Sequence, residues 1–327
     1  MERKGDYIQA ESYSQEALKL ARQVGDTDRI GALLQNLGAV AAKRGDYQQA
    51  ESYSQEGLKL ARQSGDTDRI GALLQNLGIM AGSRGDYQQA ESYYHEALKL
   101  ARQIGHTEQI SNALTNLGDA AGSRGDYQQA ESYLQEGLKL ARQIGHTDRI
   151  GALLQTLGDV ATNRGNYQQA ESYLQEGLKL ARQIDHADRI CFLLNNLGAV
   201  AVKQGDYQQA ESYLQEGLKL ARQSGSRPII ASTLCRRGNV YLKTSQLNAA
   251  SEDFREALDI VPKENQEITA EAQFGLAQAE ATLGDYHQAR QIGQMSLTLF
   301  KNIGHRKTLE VKEWLTVLPL PDDADGH

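Results

Sequence analysis

The sequence GDYQQAESY occupies residues 45–53, and this stretch or a near copy of it returns every 40 residues. The copies begin at Gly5 (as GDYIQAESY), Gly45, Gly85, Gly125, Gly165 (as GNYQQAESY) and Gly205. Self-similarity with a fixed period of about 20–50 residues is the sequence signature of repeat architectures, in which each unit packs against its neighbours. The repeat therefore predicts a solenoid, which offers a long curved surface in place of a single deep core pocket.

The first half of a repeat, taken from residue 26, has the pattern of an amphipathic helix. Asp26 or Thr27 is a suitable N-cap, and Asp28 places negative charge in the first turn, where the helix dipole favours it. Apolar residues then recur at intervals of three and four, as on one face of a helix: Ile30, Leu33, Leu34, Leu37, Val40 and Ala41. Gly45, which adopts positive φ without strain, ends this helix, here called helix A.

The second half of the repeat, up to Gly65, predicts a second helix, here called helix B. Asp46 is its N-cap, and Gln49, three residues later, completes a capping-box pattern. Its apolar face holds Ala50, Tyr53, Gly57, Leu58 and Ala61. Glycine inside a helix costs about 1 kcal/mol relative to alanine, so its return at positions 57, 137, 177 and 217 indicates either close helix packing or simple copying of the unit.

These residues resemble the tetratricopeptide repeat (TPR), whose pattern is W-x2-L-G-x2-Y, then A-x3-F, then P. The skeleton is matched by Leu34, Leu37, Gly38, Ala41 and Ala50. The fullest match lies near the C-terminus, at Leu234, Gly238, Tyr241, Ala250, Phe254, Ala257 and Pro262. The other units lack the final proline and are about six residues longer than the usual repeat, which resembles kinesin light chain and bacterial TPR arrays.

This resemblance covers about residues 5–303 and implies an all-α fold, a TPR α-solenoid in which antiparallel helix pairs form a right-handed superhelix. We expect a lone B helix over 1–25, seven helix pairs over 26–304, a capping helix over 305–318 and a disordered tail over 319–327. Because no A helix precedes the first B helix, its Tyr13 and Leu18 face is expected to be partly uncovered. The chain is then either a piece of a longer protein or pairs with another subunit at this edge.

Composition narrows the function classes. The net charge is −7, with Lys and Arg scattered at fixed repeat positions, which argues against a nucleic-acid partner. The N-terminus MERKGDYIQA has no apolar signal segment, and no stretch approaches the length of a membrane span, so no membrane partner is expected. Only two cysteines are present, Cys191 and Cys235, which favours a reducing, cytoplasmic location.

No motif for catalysis, a cofactor or a metal ion emerges. His106, His146 and His186 recur in turns where Asp26 and Asp66 fill the same position, which indicates helix capping and not metal binding. The sequence Arg-Gly-Asp at 44–46 is read in the same way, as a helix stop followed by an N-cap. We find no Ser/His/Asp arrangement, no catalytic carboxylate pair and no phosphate loop, so an enzyme is not predicted.

The candidate binding residues lie on helix A, which lines the concave groove in TPR proteins. The position before the Leu-Gly pair holds Asn36, Asn76, Asn116, Thr156, Asn196 and Arg236. An Asn amide both donates to and accepts from a peptide backbone, so one amide per repeat could hold an extended chain. The resemblance to kinesin light chain, which places Asn similarly, implies this use; the alternative is an Asn bonded to a neighbouring helix.

Neighbouring helix-A positions predict the character of the groove. Three residues further on lie Ala39, Ile79, Asp119, Asp159, Ala199 and Asn239. These residues make the groove apolar near the N-terminus and acidic in the middle, and Lys203, Arg236 and Lys243 make it basic toward the C-terminus. Phe192 and Tyr94 depart from their repeat positions and are candidate anchors. The exposed QQAES stretch is nearly invariant without an evident packing cause, which indicates recent duplication.

The leading interpretation is a scaffold without cofactors that binds a protein or peptide in its concave groove. Bacterial arrays of this kind resemble the C-terminal sensor arms of STAND-type signalling ATPases, in which a nucleotide-binding domain precedes the repeats. This chain has no GxxxxGKS or GxxxxGKT sequence, so such a domain would lie upstream of it. A different interpretation is a structural scaffold that self-associates through the uncapped N-terminal edge.

Overall fold

The computed structural model describes residues 2–319, with the backbone alone for residues 2–10 and Lys43. In this part of the chain there are sixteen α-helices and no strand. The all-α fold predicted from the repeat is therefore confirmed. The predicted disordered tail lies, except for Pro319, outside the described residues.

The chain divides into two compact units, Met1–Arg164 and Gly165–His327. The first unit contains α1 (Glu2–Val24), α2 (Thr27–Lys43), α3 (Tyr47–Ser64), α4 (Thr67–Ser83), α5 (Tyr87–Ile104), α6 (Thr107–Ser123), α7 (Tyr127–Gln143) and α8 (Thr147–Arg164). The second contains α9 (Tyr167–Gln183), α10 (Ala187–Gln204), α11 (Tyr207–Ser224), α12 (Arg227–Lys243), α13 (Leu247–Ile260), α14 (Gln266–Leu283), α15 (Tyr286–Asn302) and α16 (Thr308–Val317). Helices α2 to α14 with even numbers are A helices, and those with odd numbers are B helices.

The turns between helices form largely as the sequence predicts. The Asp26 carboxylate accepts a hydrogen bond from the Arg29 backbone N–H at 3.0 Å, and Asp46 accepts one from Gln49 at 3.1 Å. Gly45 has a φ of +81°, which favours glycine. The capping-box prediction is wrong in its second half. The Asp46 N–H already donates to the Ala41 carbonyl, and the Gln49 side chain donates to the Tyr53 hydroxyl at 3.1 Å.

The glycine inside helix B lies at a close helix contact, although the equivalent position in α5 holds the buried Ala97, so the contact does not require glycine. A Cβ atom at Gly57 would lie 3.3 Å from Cδ1 of Leu73 and 3.5 Å from Cβ of Leu34. Helix α3 is therefore wedged between the A helix of its own repeat and that of the next. Leu34 and Leu73 are fully buried, and each such side chain stabilises the fold by about 1.5–3 kcal/mol.

Contrary to the prediction, the nearly invariant QQAES stretch is not exposed throughout, because Ala50 is buried and Glu51 is half-buried. It also has structural partners, so duplication alone does not account for it. Glu51 forms an ion pair with Arg84, and the equivalent pairs join Glu91 to Arg124 at 3.1 Å and Glu131 to Arg164 at 2.7 Å. Each pair links a B helix to the end of the following A helix. Because the pairs are exposed, each contributes about 1 kcal/mol or less, but they favour the same residues at every copy.

The N-terminal edge differs from the prediction in one residue. Leu18 is only 5% exposed, because it packs with Ala21 against Ile30 of α2. Tyr13 is exposed, as expected, and the other uncovered apolar residues are Leu20, at 56%, and Val24. The prediction was wrong for Leu18 because its helix face points toward α2 and not toward the edge.

At the C-terminus, α16 closes the second unit. Val311 and Leu315 are buried against α14 and α15, and the edge of Trp314 meets the Phe274 ring with centroids 5.5 Å apart. Arg290 of α15 donates to the Leu318 carbonyl at 2.6 Å. The last helix therefore shields the apolar face of α14 and α15 and exposes a polar face, as the sequence predicts for a terminal repeat.

Candidate functional site

The first unit presents a row of asparagines on its A helices. Asn36, Asn76 and Asn116 each precede a buried leucine by one position, so they lie at the border between core and surface. Asn36 is exposed, and the other two are half-buried. Within the described residues their amides make no hydrogen bond, which leaves these donors and acceptors available to a partner.

A pocket of about 330 Å³ opens between α4, α5 and α6 of this unit. It is called the Tyr94 pocket below, and its lining consists of Ile79, Gly82, Ser83, Tyr87, Ala90, Tyr94, Asn116, Asp119, Ala120 and Ser123. Asn116, Asp119 and Ser123 lie on one face of α6, because they are separated by three and four residues. The pocket therefore combines two of the predicted binding residues with the candidate anchor Tyr94.

Tyr94 is a core residue with one end in the pocket. Its side chain is only 5% exposed, and its ring lies so close to Gly78 that a Cβ atom there would collide with it. The equivalent residues Leu134, Leu174 and Leu214 are apolar. No hydrogen bond to the Tyr94 hydroxyl is formed within the described part of the chain. The predicted anchor is thus fixed by packing, and its hydroxyl is available only through the pocket.

Asp119 is the charged group of the pocket. Its side chain is exposed at the mouth, and among the described residues it has no ion pair or hydrogen bond. Partial desolvation by the surrounding helices raises the pKa of Asp119 to about 6. Burial, together with the negative charge of Asp119, raises the pKa of Tyr94. The pocket therefore carries a negative charge that no described cation neutralises. Asp159 lies half-buried on α8 of the same unit.

The second unit places its predicted residues on corresponding faces of α10 and α12. Phe192, Asn196 and Lys203 are separated by four and seven residues and so share one face of α10. Phe192 is 49% exposed, Asn196 is half-buried and Lys203 is exposed. On α12, Arg236 and Asn239 are both exposed. This surface is basic and carries an exposed aromatic ring, in contrast to the acidic Tyr94 pocket of the first unit.

One pair that sequence reasoning missed lies in the second unit. The half-buried Arg237 and the buried Asp253 form a two-point ion pair, with N–O distances of 2.8 and 2.7 Å. They stand where the preceding repeat has Leu197 and Tyr213. Two apolar-to-charged changes of opposite sign in one repeat were the signal that could have revealed this contact.

Two of the histidines predicted to be capping residues, His106 and His186, cap helices in the structure. His106 accepts a hydrogen bond from the Gln109 backbone N–H at 3.4 Å, and His186 accepts one from Arg189 at 3.3 Å. Over the described residues, no group of three or more His, Cys, Asp or Glu side chains is placed to hold a metal ion. Both cysteines are buried and unpaired. No helix among the described residues is long and apolar enough to cross a membrane.

Antiparallel helix pairs with the TPR skeleton and an open A-helix surface define a TPR repeat protein. The chain belongs to the MalT-like TPR region family, whose profile matches residues 2–186, 68–236 and 146–309. A comparison with curated proteins gives no match.

Solved structures of similar fold include three repeat proteins. BtubC (BKLC) from P. vanneervenii is 23% identical with a TM-score of 0.60, and the match covers 67% of this chain and 92% of that one. A signal transduction ATPase with numerous domains (STAND) and a TPR sensor, from Pyrococcus horikoshii, is 16% identical with a TM-score of 0.71, covering 92% of this chain and 46% of that one. A Rap protein complexed with Competence and Sporulation Factor is 13% identical with a TM-score of 0.55, covering 95% and 99%. At these identities the likeness concerns the fold.

Proposed function

We propose that this chain is a protein- or peptide-binding scaffold that uses the exposed faces of its A helices. The observation that carries the proposal is the row of Asn36, Asn76 and Asn116, whose amides recur once per repeat and have no partner among the described residues. An amide that is half-buried and unpaired gains more from a ligand than a fully solvated one, because part of its desolvation has already occurred. A peptide backbone supplies both the donor and the acceptor that each amide needs.

Charge sets the kind of segment each unit would bind. The first unit offers Asp119 and Asp159, which favour Lys or Arg on the ligand, whereas Lys203 and Arg236 of the second unit favour carboxylates. Phe192, exposed beside Asn196, would contact an apolar side chain. The TPR sensor of the STAND ATPase and the Rap protein solved with Competence and Sporulation Factor support such a role by analogy of fold.

The more specific form of this proposal is the sensor arm of a larger signalling ATPase. It requires a nucleotide-binding domain with a phosphate-binding loop encoded upstream of this chain. The sequence of the complete gene tests this form directly, and a reading frame without such a domain rules it out while leaving the binding scaffold standing.

A pull-down with the whole chain, followed by affinity measurement with the captured partner, tests the binding proposal. The test variant combines Asn76→Ala, Asn116→Ala and Asn196→Ala with Asp119→Lys and Asp159→Lys. The control variant makes the same changes of type and charge elsewhere: Gln48→Ala, Gln88→Ala, Gln208→Ala, Asp259→Lys and Glu264→Lys. We expect the test variant to lose binding and the control to keep it. Equal binding by both variants would move the site to another surface.

A second candidate function is self-assembly through the N-terminal edge. Tyr53 and Leu60 of α3 pack against an apolar cluster that α1 and α2 form together, whereas their equivalents Tyr13 and Leu20 on α1 are exposed. An edge with the residues of a repeat contact could accept a second copy of the chain. Light scattering of the purified chain separates this function from the first, since it requires a dimer without any ligand.

A further inference from the structure

The Tyr94 pocket differs from its equivalents in the other repeats in a way that packing does not explain. The equivalent pairs of residues are Ser54 with Ile79, Leu134 with Asp159, Leu174 with Ala199 and Leu214 with Asn239. Only at Tyr94 and Asp119 does the sequence combine a phenol with a carboxylate at these two positions. Leucine at three of these positions and the fully buried Phe254 at the equivalent position of α13 show that the core takes an apolar side chain here, so the ring of Tyr94 has a packing role and its hydroxyl is the group that the fold itself does not need.

The walls of this pocket supply acceptors for hydrogen bonds and a surface for an apolar stem. Polar groups in the lining are the Asp119 carboxylate, the Tyr94 hydroxyl, the Asn116 amide and the hydroxyls of Ser83 and Ser123. Ile79 forms an apolar wall. Ile79 is 50% exposed, although a large apolar residue at this position is not needed for the core. A pocket with a carboxylate at its mouth and an apolar wall is complementary to a long basic side chain, whose methylene groups contact the wall while its charge pairs with the carboxylate.

Over the described residues the Asp119 carboxylate has no cationic partner, which favours a basic side chain as the ligand of this pocket. The position four residues after Asp119 is Ser123, and the equivalent residues in three other repeats are Lys43, Lys203 and Lys243. A lysine at that spacing on a helix would pair with Asp119 from within the chain. In the Tyr94 pocket that position is a serine, so over the described residues the carboxylate is left unpaired. Desolvation raises its pKa to about 6, and a bound cation would offset the cost of its charge.

We propose that the Tyr94 pocket is a specificity site that receives one Lys or Arg side chain of a bound protein or peptide. This inference rests on the proposed function, because Asn76 and Asn116 hold the backbone of the same segment. The Asp119 carboxylate pairs with the cation, the Tyr94 hydroxyl accepts a second hydrogen bond, and Ile79 contacts the aliphatic stem. The partner is a polypeptide and not a free amine, since the asparagine amides would remain unused by an amine alone.

Methyl NMR of the full chain tests this proposal. The chain is labelled with carbon-13 at the isoleucine δ1 methyl groups, and the Ile79 signal is assigned with an Ile79→Val variant. The probe is a blocked pentapeptide with one central lysine flanked by alanines. Its control has norleucine at the centre, which keeps the aliphatic stem and removes the charge. We expect the Ile79 methyl to shift with the lysine peptide at a Kd about tenfold lower than with the norleucine peptide.

Three variants locate the interaction. Asp119→Asn removes the charge, Tyr94→Leu introduces the residue found at the equivalent positions 134, 174 and 214, and Ser123→Lys supplies an internal cation at a position where other repeats have lysine. Each should reduce the preference for lysine to about threefold or less. The control Asp259→Asn makes the same change in net charge as Asp119→Asn at an exposed position of α13, and it should leave the preference unchanged. Because the three variants change the pocket differently, a folding defect in one does not decide the result.

Several outcomes would overturn the proposal. Equal affinity for the lysine and norleucine peptides would do so, as would an unchanged preference in Asp119→Asn. Lysinamide that binds as tightly as the peptide would show that the pocket does not read a polypeptide. If both peptides bind equally and lose affinity in the double variant Asn76→Ala, Asn116→Ala, the groove proposal stands and the charge-specific pocket falls. If neither peptide perturbs Ile79, the pocket assignment is wrong irrespective of where the pulled-down partner binds.

Discussion

A single carboxylate, Asp119, shows how function and stability oppose each other at the residue scale. The side chain lies in the Tyr94 pocket without a described partner, and its pKa is raised to about 6 by desolvation. In the unfolded chain the carboxyl group ionises at its ordinary value. Between about pH 4 and pH 6 the folded state therefore binds more protons than the unfolded state, and the contribution of Asp119 to stability falls as the pH rises. Above about pH 6 the carboxylate is ionised in both states, and its full destabilising effect on the folded state remains.

Replacement of Asp119 should therefore stabilise the free protein at neutral pH. We expect Asp119→Asn to increase the free energy of unfolding at pH 7.5 by about 1 kcal/mol, a figure discounted for the exposure of the carboxylate at the pocket mouth. The gain should shrink as the pH falls toward 4, because the aspartate is then protonated in both states. Urea unfolding at both pH values measures this difference, with Asp259→Asn as control. A gain that is independent of pH would contradict the pKa argument.

The ion pair Arg237–Asp253 leads to a different prediction at this scale. Burial raises the pKa of Asp253 despite the guanidinium opposite, so the desolvation of the carboxylate outweighs the attraction of its partner. Asp253→Ala should destabilise the second unit by about 2 kcal/mol, because it leaves the half-buried Arg237 without its ion-pair partner. The double variant Arg237→Leu, Asp253→Tyr restores the residues of the preceding repeat and should be neutral or stabilising. Thermal melts of the single and double variants measure both effects. A double variant as unstable as the single one would show that the pair stabilises the fold beyond mutual compensation.

At the element scale, the helices and their turns could be predicted from the sequence because their causes are local. Ile30, Leu33 and Leu34 are spaced by three and four residues, and a glycine followed by aspartate marks many of the turns; both signals act within a few residues. The second half of the capping box failed because Tyr53, four residues further on, offers Gln49 a better partner. The prediction that Leu18 lies on an uncovered face was wrong for a related reason, since α1 and α2 together determine which face of α1 is buried. The Tyr94 pocket could not be predicted from the sequence either, because its shape depends on how α4, α5 and α6 pack together.

The N-terminal edge gives a prediction about one element, α1. Leu20 is exposed, whereas the equivalent Leu60 is half-buried against the apolar cluster of α1 and α2. We expect Leu20→Lys to leave the melting temperature of a monomeric sample unchanged and Leu60→Lys to lower it, since only the second variant loses apolar packing and places a charge against the cluster. If the edge joins two copies, Leu20→Lys should also convert a dimer to a monomer in light scattering.

Hydrogen exchange gives an independent measure for the same edge. In a monomer, the amides of α1 should exchange faster than those of α7, which has helices packed on both sides. Equal protection of the two helices in a monomer would contradict the interpretation that the edge lacks a partner.

At the scale of the whole molecule, each helix within a unit packs mainly against its neighbours along the chain. Stability in such a chain is close to a sum of repeat terms and nearest-neighbour terms, so segments near an end unfold more readily than internal ones. The sequence predicts this property directly, because 40-residue copies with the same core positions must form the same contacts. The residues that differ between copies, such as Tyr94, Asp119 and Phe192, are not fixed by the repeat, and the proposed function assigns partner recognition to them.

Trp314, the only tryptophan, makes this property measurable. Its ring contacts Phe274 and lies in α16, which packs on the array from one side only. We expect urea to change Trp314 fluorescence at a lower concentration than it changes the far-ultraviolet circular dichroism of the whole chain, so that the two transitions do not coincide. As a control, a Tyr133→Trp, Trp314→Phe variant moves the fluorophore to α7 in the interior of the first unit, and its transition should move toward that of the dichroism signal. Coincident transitions for both proteins would mean that the chain unfolds as one cooperative body, and the nearest-neighbour description would then fail.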